Sequence, residues 1–147
     1  MKKLKEELCG MKLTKKDLEL IVEAEKVLRS NIDLYEDKTL PVACVVKAKS
    51  GKLYKGVNIK TSHSVCAEQV ALGQAFASGE REMDTIVSVK LDAENKVRVV
   101  SPCGLCRYIF NNLNLDMDVI VEDVYKDVDL KVKAKELLPY PYKRVDD

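Results

Sequence analysis

The chain is almost without net charge: 25 basic and 24 acidic residues among 147 leave a formal +1. A long polyanion is drawn by a field of one sign, and this sequence offers none. Aromatic residues are also few, 5% of the total, so the stacking platforms that grip single-stranded nucleic acid are missing. Charged residues, 33% of the chain, interrupt the 46% hydrophobic fraction throughout. No apolar run approaches the roughly 18 residues that cross a bilayer. The opening Met1-Lys2-Lys3-Leu4-Lys5-Glu6-Glu7 has neither the apolar stretch nor the cleavage site of a secretory leader. These absences predict a cytoplasmic protein with no nucleic-acid or membrane partner. No repeat or linker divides the sequence, and its length predicts one domain, residues 1–147, with one site to find.

The apolar pattern lays out an α/β chain. Thr14 is placed to cap a helix with apolar residues at Leu18, Ile21, Val22, Ala24 and Leu28. Pro41 to Val46 reads as a β-branched strand, Lys49-Ser50-Gly51-Lys52 as a turn and Leu53 to Ile59 as the second arm of a hairpin. Val65 to Ala77 reads as a helix stopped by Ser78-Gly79. Thr85–Val89 is a third strand, extended or followed by Val97–Val100, and a helix runs from about Cys103 to Asn111. Val119–Val121 and Lys131–Val132–Lys133 give strands four and five, with one helical turn over Ala134 to Leu138. The order implies a central mixed sheet of five strands covered by helices.

Five cysteines, an odd number, stand in a chain with one histidine, His63. Three cluster in Cys66-Ala67-Glu68 and Cys103-Gly104-Leu105-Cys106. Without a secretory signal such spacing argues for metal or redox chemistry before disulfides. Cys44 lies in an apolar strand and reads as a buried thiol, while Cys9 has no visible role. Cys-x-x-Cys at a helix start puts two sulfurs on one face, and Cys66 would complete three ligands, the number that leaves a tetrahedral zinc one open position. Both helix starts favour thiolate through their free N–H groups. Glu68 brings a carboxylate near the metal without being needed as a ligand. Three thiolates on one Zn²⁺ leave an excess negative charge. Arg107 could relieve it by donating to a sulfur, or could be a solvated surface residue.

Cys-x-Glu followed by Pro-Cys-x-x-Cys, here Cys66-Ala67-Glu68 and Pro102-Cys103-Gly104-Leu105-Cys106, matches the signature of zinc-dependent nucleobase deaminases. The chain resembles the cytidine deaminase superfamily, in its free-nucleoside branch of cytidine and blasticidin S deaminases. The likeness runs through Pro41-Val42-Ala43, Gly56-Val57-Asn58, the two cysteine motifs with Ser101 and Arg107, and Glu136-Leu137-Leu138-Pro139. It implies a three-layer α/β/α fold, Zn²⁺ on Cys66, Cys103 and Cys106, Glu68 as proton carrier, and a homo-oligomer, a tetramer as in the family. The implied reaction is hydrolysis of a free cytosine nucleoside to the uracil compound and ammonia. Backbone groups around Ala67 and Ser101-Pro102 would read the base edge, by the same resemblance.

Several positions depart from the family pattern. Cytidine deaminases usually carry Asn-x-Glu before the metal helix; here Asn58 is followed by Lys60 in the third position. A cation there suits an anionic substituent on the sugar, or is one surface lysine among many. The loop from Asn58 to Cys66 is similar in length to that of blasticidin S deaminases. Gln69 stands where many cytidine deaminases have Arg, and Leu40 where they have Phe. Tyr142 either stacks on the base, from its own subunit or across a subunit boundary as in the family's tetramers, or packs on its own subunit's surface. His63 is not needed as a ligand. Three alternatives remain open: an inactive zinc-binding module, a deaminase of another amino-heterocycle, and an enzyme acting on a base within a polynucleotide.

Overall fold

A computed structural model describes residues 10–38, 40–113 and 115–142, apart from the side chain of Leu34. Cys9, like the charged N-terminal segment, lies outside the described residues. The elements in chain order are helix α1 (Lys15–Asn31), strands β1 (Val42–Ala48) and β2 (Leu53–Val57), helix α2 (Ala67–Ala77), strands β3 (Met83–Leu91) and β4 (Val97–Val100), helix α3 (Gly104–Asn112), and strands β5 (Asp118–Asp123) and β6 (Val128–Lys133). Short 3₁₀ turns follow α1 (Ile32–Leu34) and β6 (Ala134–Leu137).

The sheet has six strands in the order β2-β1-β3-β5-β6, with β4 paired to β3 off that path. The expected five becomes six because Val97–Val100 does not continue β3 but folds back on it, Ser88 opposite Val100 and Leu91 opposite Val97. Asp92 makes the turn, its Oδ1 accepting from the N–H groups of Glu94 and Lys96, with Asn95 at φ 64°. β3 is thus shared: Thr85 and Ile86 run parallel to β5, and Ser88 to Leu91 run antiparallel to β4. The chain leaves β4 where β4 and β5 divide, and the cysteine-bearing α3 starts there.

Helices cover both faces, which is why β1 reads as a continuous apolar run instead of an alternating one. Ala43, Val45, Val87, Val89 and Ile120 pack under α1 on one face, against Leu20, Ala24 and Leu28. Cys44, Val46, Ile86 and Val119 form the other core with Ala71 and Leu72 of α2 and Cys106 and Phe110 of α3. The layers are therefore α/β/α. The buried stripe of α1 runs through Leu20, so Leu18 and Val22, two of the apolar residues that marked the helix, are about half exposed.

Local chemistry sets the helix ends. Thr14 and Asp17 form a reciprocal cap on α1: Thr14 Oγ1 accepts from Asp17 N, and Asp17 Oδ2 accepts from Thr14 N at 2.8 Å. Lys131 Nζ reaches the same carboxylate oxygen at 2.9 Å. α2 stops where Gly79 takes φ 89°, a left-handed value that glycine tolerates. α2 also presses directly on β2 at Gly56, where a Cβ would come within 2.5 Å of Ala67 O and Ala71 N. No helix among the described residues is long and apolar enough to cross a membrane.

Candidate active site

Cys66 is the N-cap of α2 and Cys103 the N-cap of α3, so two helix starts meet at one point on the sheet. α2 begins two residues later than the Val65 start read from the sequence, because Val65 is tied into the preceding loop. Ile59 and Val65 exchange N–H···O bonds in both directions at 2.9 Å. The sulfurs of Cys66, Cys103 and Cys106 all lie within 4.8 Å of one another, and Cys66 Sγ is 3.6 Å from Cys103 Sγ. A tetrahedral zinc with Zn–S bonds of about 2.3 Å needs sulfurs roughly 3.8 Å apart. The donor set fits such an ion.

Electrostatics makes the same point. Burial pushes the Cys103 thiol up, but the N–H of Cys106, the Cys66 thiol and the N–H of Leu105 are among the donors that outweigh it and hold the group below its ordinary range. Burial raises Cys66, and its bond to Cys103 adds to this. Cys106 is driven far up by burial and then by the charges of Glu68, Cys103 and Cys66. The cluster alone therefore eases ionisation at Cys103 and resists it at Cys66 and Cys106. A divalent cation among the sulfurs reverses that resistance.

Glu68 sits in the first turn of α2 and is 7% exposed. Among the described residues no hydrogen bond or ion pair engages its carboxylate. Its charge raises Cys106 and Cys44. Cys44 is fully buried, as read from its strand, and burial keeps its thiol protonated, with Ser88 pulling weakly the other way.

Around this centre the remaining residues divide. Arg107 does not donate to a sulfur in this structure. Its Nε bonds Pro102 O at 2.8 Å and its Nη1 reaches Leu137 O at 3.4 Å, so the guanidinium ties the metal loop to the C-terminal 3₁₀ turn. The fork geometry of Arg suits two carbonyls as well as one anion. Gln69 accepts from Cys66 N at 3.3 Å. Ser101 has its hydroxyl pinned to the backbone of Glu122, accepting from N at 3.2 Å and donating to O at 3.3 Å. Ala67 is buried at the start of α2.

Asn58 is also engaged internally. Its Oδ1 accepts from Val42 N at 2.8 Å, its Nδ2 donates to Leu40 O at 3.4 Å, and its carbonyl accepts from Tyr35 Oη at 2.8 Å. Tyr35 had no signal in the sequence, since it lies in the patternless stretch between α1 and β1. Lys60 is exposed and in no ion pair among the described residues. His63 is exposed, with Nδ1 3.2 Å from Ser62 Oγ, and stands apart from the sulfurs. Leu40 is 39% and Tyr142 70% exposed.

A mixed sheet with helices on both faces and a three-cysteine cluster between two helix starts defines a zinc-site α/β protein. Residues 14–122 match the model of the cytidine and deoxycytidylate deaminase zinc-binding region, and the chain belongs to that family. It is 35% identical over 140 residues to the blasticidin-S deaminase of Bacillus cereus, covering 90% of this chain and 96% of that one. It is 31% identical over 102 residues to the cytidine deaminase of Halalkalibacterium halodurans, covering 67% and 74%. Among solved structures, the cytidine deaminase of Burkholderia pseudomallei aligns with a TM-score of 0.66 at 26% identity, covering 88% of this chain and all of that one. Deaminases are hydrolases of C–N bonds, and that is the class of enzyme to which the chain belongs.

Proposed function

We propose that the chain, acting as a single domain, is a zinc-dependent hydrolytic deaminase of a free cytosine nucleoside, either cytidine and deoxycytidine or a blasticidin S-type compound. The observation that carries this reading is the buried Glu68 carboxylate, left without a hydrogen-bond partner two residues beyond a three-sulfur cluster. A purely structural metal site takes a fourth protein ligand and has no use for such a group.

Cys66, Cys103 and Cys106 would hold the ion. Zinc held there supplies the Lewis acidity that makes water a nucleophile near neutral pH. Glu68 takes the proton from the attacking water and gives it to N3 of the pyrimidine as the oxygen adds to C4. It then takes the remaining hydroxyl proton from the tetrahedral C4 and passes it to the amino group, so that the C4–N bond breaks as C4=O forms and ammonia departs. Backbone groups at Ala67 and at Ser101-Pro102 would hold the base edge, the Ser101 strand end being fixed by its bonds to Glu122.

The substrate reading leans toward an anionic or otherwise substituted sugar. Asn58 already spends its side-chain oxygen on Val42 N, and Lys60 supplies an exposed cation where a ribose-gripping acid is usual. The near full-length likeness to an enzyme named blasticidin-S deaminase supports the same choice. Tyr142 is available to cover the base, and a homotetramer in the cytoplasm is the working assembly we assign, with Leu105 exposed beside the cluster as a surface for a partner subunit. Ammonia release from cytidine, deoxycytidine and blasticidin S, measured with zinc content, tests the reading. No release from any of the three by zinc-loaded protein would leave an inert zinc module or a different amino-heterocycle.

A further inference from the structure

On the face of the sheet that carries α2 and α3, one hydroxyl among the described residues lacks an oxygen or nitrogen partner. Ser88, in the middle of β3, is 3% exposed, and its buried Oγ has only a weak interaction with the Cys44 thiol. An unsatisfied buried hydroxyl is destabilising, a cost that alanine at the same place avoids. Ser88 pairs with Cys44 on β1 and Val100 on β4. It borders a narrow gap together with Glu68, Val100, Pro102 and Phe110, and the gap is too tight to seat a water molecule. Water therefore cannot satisfy the hydroxyl. The remaining lining side chains are hydrocarbon, so Glu68 is the one strong side-chain acceptor on the gap, and a protonated Cys44 thiol beside it accepts only weakly.

We propose that Ser88 is a positioning residue for Glu68: its O–H donates to one carboxylate oxygen and turns the other toward the water and the base. A glutamate carboxylate without a fixed partner is free to rotate about its last torsion. A single buried donor fixes the plane, and placement errors near 1 Å cost about 100-fold in rate. The hydroxyl neither loses its proton nor touches the substrate. This assignment rests on Glu68 as the proton carrier proposed above.

The test is a double-mutant cycle read by thermal unfolding of the zinc-loaded protein, joined to steady-state kinetics. Glu68→Leu removes the acceptor and keeps the bulk. If Ser88 donates to Glu68, Ser88→Ala should raise Tm by about 3 °C more in the Glu68→Leu background than in the native one, because only there does it delete an orphan. In the native background Ser88→Ala should lower kcat by about 10–100-fold, with KM within about twofold and zinc content unchanged. Equal Tm shifts in both backgrounds, or an unchanged kcat, would overturn the proposal. The unfolding arm needs no substrate, so coupling there without ammonia release from the native protein would count against the deaminase reading alone.

Discussion

Cys66 Sγ and Cys103 Sγ lie 3.6 Å apart although 37 positions separate them in the chain, and each residue caps the helix that follows it. An ion between them joins two otherwise independent helix starts, so metal binding and folding are linked. The purified protein should hold about one zinc per chain. Removing it with a chelator should lower stability by about 4 kcal/mol if free zinc was near a thousand times its Kd. Cys103→Ala should lose the metal and show the same deficit with no response to chelator. Full zinc retention in that variant, by atomic absorption, would take Cys103 out of the site.

Glu68→Ala should keep both zinc and fold while kcat/KM drops by at least the roughly 10²–10⁴-fold that general acid–base catalysis contributes. Its loss would leave the Ser88 hydroxyl without an acceptor, so Tm should fall by only a few degrees while the fold persists. Turnover close to native would mean that another group moves the protons.

Lys60 should separate the two substrate readings. Lys60→Glu restores the usual ribose-gripping pattern and inverts the charge. It should weaken kcat/KM for blasticidin S by roughly 1.5–3 kcal/mol, the scale of a charged hydrogen bond, and leave cytidine unchanged or improved. The same effect on both substrates, or none, returns Lys60 to the solvated surface.

The Asp17 carboxyl is held below its ordinary value of 3.8: burial raises it, but the Thr14 N–H, Lys131 and the Thr14 hydroxyl together outweigh that. A carboxylate favoured by the folded state adds stability above its unfolded pKa and loses it as pH falls through its folded one. Asp17→Asn should therefore cost roughly 1–3 kcal/mol at pH 7, and its urea midpoint should converge on the native one in the acid range below the ordinary carboxyl pKa. A gap that persisted undiminished into strong acid would show that the charge of Asp17 is not what matters.

Much of this was legible in the residues themselves. The cap at Thr14, the stop at Ser78-Gly79 and the strand Val97–Val100 each have a local cause, and the structure shows all three. The meeting of Cys66, Cys103 and Cys106 was readable because ligand chemistry demands it. What stayed hidden depends on contacts far apart in sequence. β6 begins at Val128, three residues before the strand read from the sequence, because its register comes from β5. Arg107 turns to carbonyls because the C-terminal turn happens to lie beside it. Ser88 looks like any polar residue in a strand until Glu68 is found across the gap from it.

The paired hydrogen bonds between Ile59 and Val65 fasten residues 60–64 at their base, just ahead of Cys66. Such a loop behaves as an exchangeable cassette. Its length and charge can change while the staple keeps the first turn of α2 in place, so substrate range can drift by rewriting a few exposed positions with the metal centre untouched. For an engineer, Lys60 to Ser64 is the stretch to randomise, and Ile59 and Val65 mark the splice points.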